Sequence, residues 1–512
     1  MGNGLLVVQL VEVEMKVKRF IAAATIVAAV LAVGLPAAGA QSGRDARVWM
    51  TTGDQKNLLT EQPSSALMAP VAGDPTVTID PSRSYQPIEG FGAAITDSSA
   101  HLLAASPHRE QIMRDLFDPE HGLGLSYLRQ PIGASDFVVG QQYTYDDMPA
   151  GQTDYSQQHF SIAHDESQIL PLLREAKSLN PNLQIVATPW SQPAWMKTND
   201  SLIGGRLIDT PAIYQSYALY LTKFIEAYRE QGVTVNAITV QNEPQNRTPS
   251  GYPGTDMSAA QEEKVIEALG PMLQAAHLHT KILAYDHNWS EHPNDIASTP
   301  PDETQDTNDY PQEVLSSPAA RWIWGTAYHC YYGDPSAQST LHDQFPTKAI
   351  YFTECTGSLS SDPTTTFSDT LHWHTRFLTV GAVRNWARNV ITWNLALDPS
   401  GGPHNGGCGT CFGVVTIDPQ TGQATPTADY YVLGHVTRFV KPGAVRMGSN
   451  VAGNIWNVAF RNPDGSIVLL ANDDDWGTGS QTFNVRLGGT EFSYNLPAGG
   501  VATFVMPGPL ER

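Results

Sequence analysis

Two glutamates carry the chemistry this sequence offers. Glu243 closes the run Ala237-Ile238-Thr239-Val240-Gln241-Asn242-Glu243-Pro244, and Glu354 closes Ala349-Ile350-Tyr351-Phe352-Thr353-Glu354. Both runs are rich in β-branched and aromatic residues that suit a buried strand, and Pro244, which cannot donate to a sheet ladder, marks where the first run stops. Each carboxylate is therefore expected at the carboxyl end of a strand. Brought to one pocket, such a pair cleaves glycosidic bonds: one acid protonates the leaving oxygen, and the other attacks the sugar or activates water.

A lone Asn-Glu-Pro is weak evidence, because a strand-end glutamate commonly caps a loop. Here the other expected strand ends carry Asp97, Arg129, Trp190, His329, Tyr331, Trp393 and Asn394, which favours a site over loop capping. Trp190 and Trp393 can stack on the apolar face of a sugar ring, although indoles are more often core or lid residues. Arg129 suits either the orientation of a carboxylate or contact with substrate, an internal salt bridge being the plainer role. His329 reads as a hydrogen-bonding partner rather than a metal ligand. The pairs His277/His279 and His372/His374 fall in helical segments, where a spacing of two points side chains apart. No metal site and no cofactor is expected.

The elements that must position these groups follow from periodicity. Short apolar runs at 90–96, 125–133, 183–190, 235–241, 281–286, 326–331, 348–353 and 389–397 alternate with longer helix-compatible segments. The segment 210–231 has Thr210 as cap, Pro211 at the first helical position and Tyr214, Tyr217, Ala218, Leu221 and Ile225 on one face; 257–277 is a second helix. Eight strands alternating with helices predict a (β/α)8 barrel over 89–428, whose reactive groups gather at the carboxyl ends, with Glu243 on the fourth strand and Glu354 on the seventh. A doubly wound open sheet is the alternative, but no glycine-rich phosphate loop follows the first strand. Residues 46–88 hold short β-prone pieces. Residues 429–512 alternate apolar and polar around Asn-Pro-Asp-Gly and Gly-Gly turns, as in an antiparallel sandwich. An acidic stretch at 300–311 reads as an exposed loop.

Composition narrows the partners. With 30 basic and 51 acidic residues the formal charge is −21, which disfavours nucleic acid and other polyanions and suits neutral substrates. Lys16, Lys18 and Arg19 precede an apolar run to Leu35, and Ala38-Gly39-Ala40 offers small residues at a cleavage point. Residues 1–40 thus read as a secretory leader cut after Ala40, with Met15 a better start than Met1. The apolar run is short for an uncleaved anchor, and no later segment reads as a membrane span. Export also bears on the four cysteines. Cys408 and Cys411 are expected to form a local disulfide rather than a metal or redox pair, while the pairing of Cys330 and Cys355 stays open.

Several long motifs in matching order resemble glycoside hydrolase family 30, the glucosylceramidase-like group of the 4/7 barrel superfamily. They are Gly90-Phe91-Gly92-Ala93-Ala94-Ile95-Thr96-Asp97, Leu128-Arg129-Gln130-Pro131-Ile132-Gly133-Ala134-Ser135-Asp136-Phe137, Thr188-Pro189-Trp190-Ser191-Gln192-Pro193-Ala194-Trp195-Met196-Lys197, Gln241-Asn242-Glu243-Pro244, Thr353-Glu354-Cys355 and Trp393-Asn394-Leu395-Ala396-Leu397. The resemblance implies a retaining mechanism with Glu243 as acid/base and Glu354 as nucleophile. It implies that Asn242 bonds the sugar 2-hydroxyl, that Tyr331 lies near the nucleophile, and that Asp97, Trp190 and Trp393 grip the nonreducing sugar. It also implies that the strands of 46–88 join those of 429–512 in one discontinuous sandwich.

Cys355 stands where animal glucosylceramidases have alanine, and the loop 402–411 looks more like members acting on glucans. The resulting expectation is a secreted β-glucosidase, glucosylceramidase or β-1,6-glucanase acting on a β-linked glucoside, glucan or glycolipid. A xylan-cleaving relative, a catalytically silent carbohydrate-binding barrel and a metal-dependent hydrolase are the competing readings. Glu243 is expected to have a raised pKa, kept protonated by its neighbours and by the charge on Glu354.

Overall fold

The computed structural model describes residues 46–301, 309–477 and 479–508. The expected leader lies outside these residues, as does most of the expected loop at 300–311, of which the last part opens a helix, Tyr310–Ser316.

Eight parallel strands form the central sheet: Gly90–Ala94, Tyr127–Ile132, Gln184–Pro189, Ala237–Thr239, Lys281–Asn288, Ile323–His329, Ala349–Glu354 and Asn389–Thr392. Neighbours in sequence are neighbours in the sheet, and the eighth strand pairs with the first. Among the described residues the seventh and eighth share no continuous ladder and meet at the single bridge of Ile350 with Ala387. There Arg388 N–H donates to the Ile350 carbonyl at 2.9 Å and Phe352 N–H donates to Asn389 Oδ1 at 2.9 Å. The fourth strand is shorter than expected because its exit residues bond irregularly, Asn242 N–H to the Pro189 carbonyl and Glu243 N–H to the Asp286 carbonyl. The fifth is longer, running past a register shift between Tyr285 and His287.

Helices cover the outside. Pro211–Glu230 starts where the Thr210 side chain accepts from Ile213 N–H, and it buries Tyr217, Ala218, Leu221 and Ile225. Ala259–Ala275 is capped in the same way by Ser258. Inside the barrel, side chains alternate by strand pleat. Tyr127, Val186, Ala237, Leu283, Ala327, Tyr351 and Ile391 form one closed apolar layer. Two residues further along, the inward positions become Arg129, Thr188, Thr239, His329 and Thr353, all fully buried. The apolar layer seals the lower barrel, so the polar layer above it forms the floor of the open end.

A second sheet of nine strands takes Arg47–Thr51, Thr60–Glu61 and Thr76–Pro87 from one end of the chain and six strands between Val445 and Met506 from the other. It is antiparallel except where Thr76–Pro87 pairs in parallel with Ser480–Leu487. The sheet folds over itself around a core in which Phe504 meets Phe483, Phe492 and Tyr494. It docks on the barrel through buried and part-buried polar groups as well as apolar ones. Arg376 lies 3.2 Å from the Trp456 ring and pairs with Asp474 at 3.0 Å. The His435 ring bridges the hydroxyls of Thr51 and Thr503.

Gly92 gives a test of the barrel packing. A Cβ placed there would lie 1.7 Å from the Tyr127 carbonyl oxygen in the next strand. Overpacking against backbone costs at least about 1–3 kcal/mol, so Gly92→Ala is expected to lower the midpoint of thermal unfolding by roughly 1–3 °C or more. Gly489→Ala, where nothing lies within 4 Å, should leave it unchanged. Equal midpoints for the two variants would contradict this packing.

Candidate active site

The Asp286 carboxylate lies at the centre of the polar layer. It accepts from Arg129 Nη2 at 2.9 Å and from the hydroxyls of Thr239 at 2.8 Å, Thr188 at 3.2 Å and Thr353 at 2.6 Å, and it bonds His329 Nε2 at 3.0 Å. The bulge in the fifth strand turns Asp286 inward. Tyr285 and Asp286 have φ of +77° and +59°, a region that side chains rarely adopt. Burial pushes the Asp286 carboxyl up, but the charge of Arg129 and the bonds from His329 and Thr353 hold it well below the usual carboxylate range.

The two predicted glutamates sit above this centre. Arg129 holds Glu354 and the residue before Glu243: Nη1 donates to Glu354 Oε2, and Nη2 donates to the Asn242 side-chain oxygen at 2.7 Å. Burial opposes the charge on Arg129, yet Asp286 and Glu354 keep its guanidinium protonated. Tyr331 Oη donates to Glu354 Oε1 at 2.8 Å. Glu243 has a φ of +46° directly before Pro244, a strained backbone pinned by its N–H bond to the Asp286 carbonyl at 3.0 Å. Asn246 Nδ2 donates to Glu243 Oε2 at 2.9 Å and also reaches the Tyr252 hydroxyl at 2.9 Å.

His329 joins the glutamates. Its Nδ1 is 3.3 Å from Glu243 Oε1 and 3.9 Å from Glu354 Oε1. Those two oxygens are thus no farther apart than the sum of these distances, about 7 Å, against roughly 5–5.5 Å for retaining and 6.5–9.5 Å for inverting carboxylate pairs. The protonation differs from the sequence expectation. Burial raises the Glu243 pKa, but the bond from His329, the charges of His287 and His329 and the Asn246 amide outweigh it and hold the group low, at about 2. Burial lowers His329, while the Glu354 charge and its bonds to Asp286 and Glu243 raise it to about 9. Without a sugar in the site, the proton expected on Glu243 therefore resides on its neighbour.

A cavity of about 720 Å³ opens above, a volume suited to a sugar and its neighbours. Glu243, Glu354, Asn242, Trp190, Trp393 and Tyr331 all line it. The rings of Trp190 and Trp393 stack with centroids 5.0 Å apart, and Arg129 lies 4.8 Å beneath the Trp190 ring. The remaining predicted residues do not line it. Arg129 and His329 are fully buried and act through the carboxylates. Asp97 is enclosed by the Tyr143 hydroxyl at 3.2 Å and by His164 at 3.5 Å, and Asn394 is sealed below, accepting from the Thr96 hydroxyl at 2.9 Å.

Both disulfides frame the site. Cys330–Cys355 ties the exits of the sixth and seventh strands immediately beside His329, Tyr331 and Glu354, and so closes the question the sequence left open. Cys408–Cys411 forms the expected local link in the loop after the eighth strand. That loop walls the cavity at Asp136. Asn405 N–H donates to the Asp136 carbonyl at 2.7 Å, and a Cβ on Gly407 would strike the Asp136 carboxylate at 2.3 Å. Burial and the charges of Glu354 and Glu243 push the Asp136 carboxyl well up.

Sequence reasoning missed Asp286, His287, Asn246 and Tyr252 as members of the site. A signal for the first existed: Asp286 stands at the end of an expected strand, as Glu243 and Glu354 do. One donor atom from each of Glu243, His287 and His329 falls within 4.8 Å of the others, a grouping able to hold a metal ion.

Two carboxylates paired across a sugar-sized cavity at the carboxyl end of a (β/α)8 barrel define a glycoside hydrolase. Residues 88–440 match the glycosyl hydrolase family 30 TIM-barrel domain, and residues 443–504 match the β-sandwich domain of the same family. The chain belongs to glycoside hydrolase family 30. It is 32% identical to an endo-1,6-β-D-glucanase of Trichoderma harzianum, over 94% of this chain and 97% of that one. It is 30% identical to a putative glucosylceramidase of Caenorhabditis elegans, over 77% of this chain and 76% of that one. Among solved structures, an endo-β1,6-glucanase superposes with a TM-score of 0.79 at 31% identity, covering 91% of this chain and all of the other.

The central network makes two predictions. Removing one partner of a buried ion pair costs about 3–5 kcal/mol. Asp286→Asn is therefore expected to lose that much stability in denaturant unfolding, and a loss below roughly 1 kcal/mol would mean Asp286 does not hold the layer together. The second concerns pH. The folded-state pKa of His329, about 9, lies above the unfolded value of 6.5, so its stabilisation is fully present below about pH 6.5 and disappears as pH rises through about 9. The stability deficit of His329→Gln relative to the parent should be largest near pH 6 and shrink by pH 9.5. A deficit constant across this range would contradict the assignment.

Proposed function

We propose that the protein is a secreted, retaining endo-β-1,6-glucanase in which Glu354 is the nucleophile and Glu243 the acid/base. One observation carries the mechanism: Glu354 and Glu243 face one cavity from the seventh and fourth strands, Glu354 held by Arg129 and Tyr331 and Glu243 backed by a histidine that carries a proton. The substrate reading leans on the full-length similarity to endo-1,6-β-glucanases, which extends across both domains.

Glu354 attacks the anomeric carbon from below, its orientation held by two donors that favour an anion. His329 first passes its proton to Glu243 across 3.3 Å, and Glu243 gives that proton to the leaving oxygen, which leaves Glu243 ionised. The second half reverses the roles: Glu243 takes a proton from water, and water releases the sugar from Glu354. Trp190 and Trp393 supply the aromatic wall for the sugar, and Asn242, tethered to Arg129, presents its amide toward the 2-hydroxyl. The catalytic unit is the barrel of 89–428; the strands of 46–88 and 429–512 form the sandwich. Residues 1–40 are a leader removed on export, and no helix among the described residues is long and apolar enough to cross a membrane.

Proton NMR during hydrolysis of β-1,6-glucan is expected to show the β-anomer first, with oligosaccharides of mixed length as early products. Glu354→Gln should lower kcat by roughly 10⁴-fold or more. Azide should restore turnover of an activated aryl glucoside by Glu354→Ala. An α-anomer as first product would refute retention. Glucan bound but uncleaved by the parent protein would favour a silent binding barrel, and loss of activity with chelator would favour a metal-dependent hydrolase.

A further inference from the structure

We propose that Glu243, His287 and His329 form a zinc-binding site at the cavity floor, and that a bound Zn²⁺ blocks the enzyme by occupying its acid/base. The three residues each offer a donor atom within 4.8 Å of the others. His329 is already committed on one side, its Nε2 bonded to Asp286 at 3.0 Å, which leaves Nδ1, whose proton the metal displaces to solvent, facing Glu243 Oε1 at 3.3 Å. Glu243 keeps Oε1 for a ligand because Asn246 binds the other oxygen.

His287 is the independent sign. It is 1% exposed and lines the cavity, yet among the described residues neither ring nitrogen has a hydrogen-bond partner. A buried imidazole without partners forfeits the bonds it made to water. A carboxylate stands behind this ring too, with Asp295 Oδ2 3.6 Å from Nε2. Each histidine thus has a carboxylate beside one ring nitrogen, hydrogen-bonded for His329 and 3.6 Å away for His287, and acids so placed support imidazoles that bind metals.

Ligand chemistry selects the ion. Two imidazoles and one carboxylate with an open fourth direction suit Zn²⁺, whereas Ca²⁺ and Mg²⁺ take oxygen donors. Tetrahedral donors around zinc stand about 3.4 Å apart, so the His287 ring, held by no hydrogen bond, must swing inward to close the set. A metal there would face the cavity where the glycosidic oxygen binds. The inhibition rests on the acid/base role proposed for Glu243; the binding does not.

Calorimetric titration of Zn²⁺ into the full chain separates the two. One zinc per chain is expected, bound at least 10-fold more weakly by His287→Asn and by Glu243→Gln, each checked for unaltered folding by circular dichroism. Glu354→Gln, silent in hydrolysis, should bind zinc as the parent does. Hydrolysis of an aryl β-glucoside by the parent should fall with added zinc and recover with EDTA. Absence of binding up to about 1 mM Zn²⁺, or equal affinity in the parent, His287→Asn and Glu243→Gln, would overturn the site. Zinc that binds as described without slowing hydrolysis would uphold the site and refute the acid/base role of Glu243.

Discussion

A single buried carboxylate organises the open end of this barrel. Asp286 gathers Arg129, His329 and three threonine hydroxyls from the second, third, fourth, sixth and seventh strands. An uncompensated ion at that depth would be prohibitive, and one with this many donors is heavily favoured. The bond pattern also imposes geometry: Arg129 and His329 have little freedom once their inner nitrogens are committed, so their outer nitrogens point where Glu354 and Glu243 must be. Asp286 contacts neither glutamate through its side chain, yet both are oriented through it.

Strain and covalent ties complete the arrangement. Glu243 and Asp286 occupy backbone conformations unfavourable to side chains, and the N–H of one bonds the carbonyl of the other. Positions like these persist only where the surroundings over-determine them, and here the ion-pair layer below and the Cys330–Cys355 link beside Glu354 do so. The site is accordingly built on strand ends and a disulfide rather than on free loops, which suits a reaction that needs two carboxyl groups held to a fraction of an ångström.

The proton balance is a consequence of the same layer. Asp286, Glu354 and Glu243 crowd around His329 and stabilise its cationic form more than burial destabilises it. Glu243 is therefore ionised in the free site, beside the group that can protonate it. Raising the pKa of a general acid by isolating it in apolar surroundings is one solution to acid catalysis at moderate pH; a histidine proton kept at 3.3 Å is another.

Much of this was legible in the chain. Strand-like runs ending in Glu243 and Glu354, the cap and proline at Thr210-Pro211, and the order of eight strands are local patterns, and local sterics and hydrophobic spacing determine them almost completely. What only the tertiary structure decided are relations between distant residues. The bulge that turns Asp286 inward depends on neighbouring strands, the partner of Cys330 on which strand exits meet, and the protonation of Glu243 on charges up to 86 positions away in sequence. Asp97 reads as a sugar ligand from the resemblance and Asn394 from its strand end, but whether such a residue faces a cavity or the packing behind it depends on the closed shape of the barrel. Strand identity follows from each residue and its neighbours, whereas fields, burial and cavities sum over the whole fold.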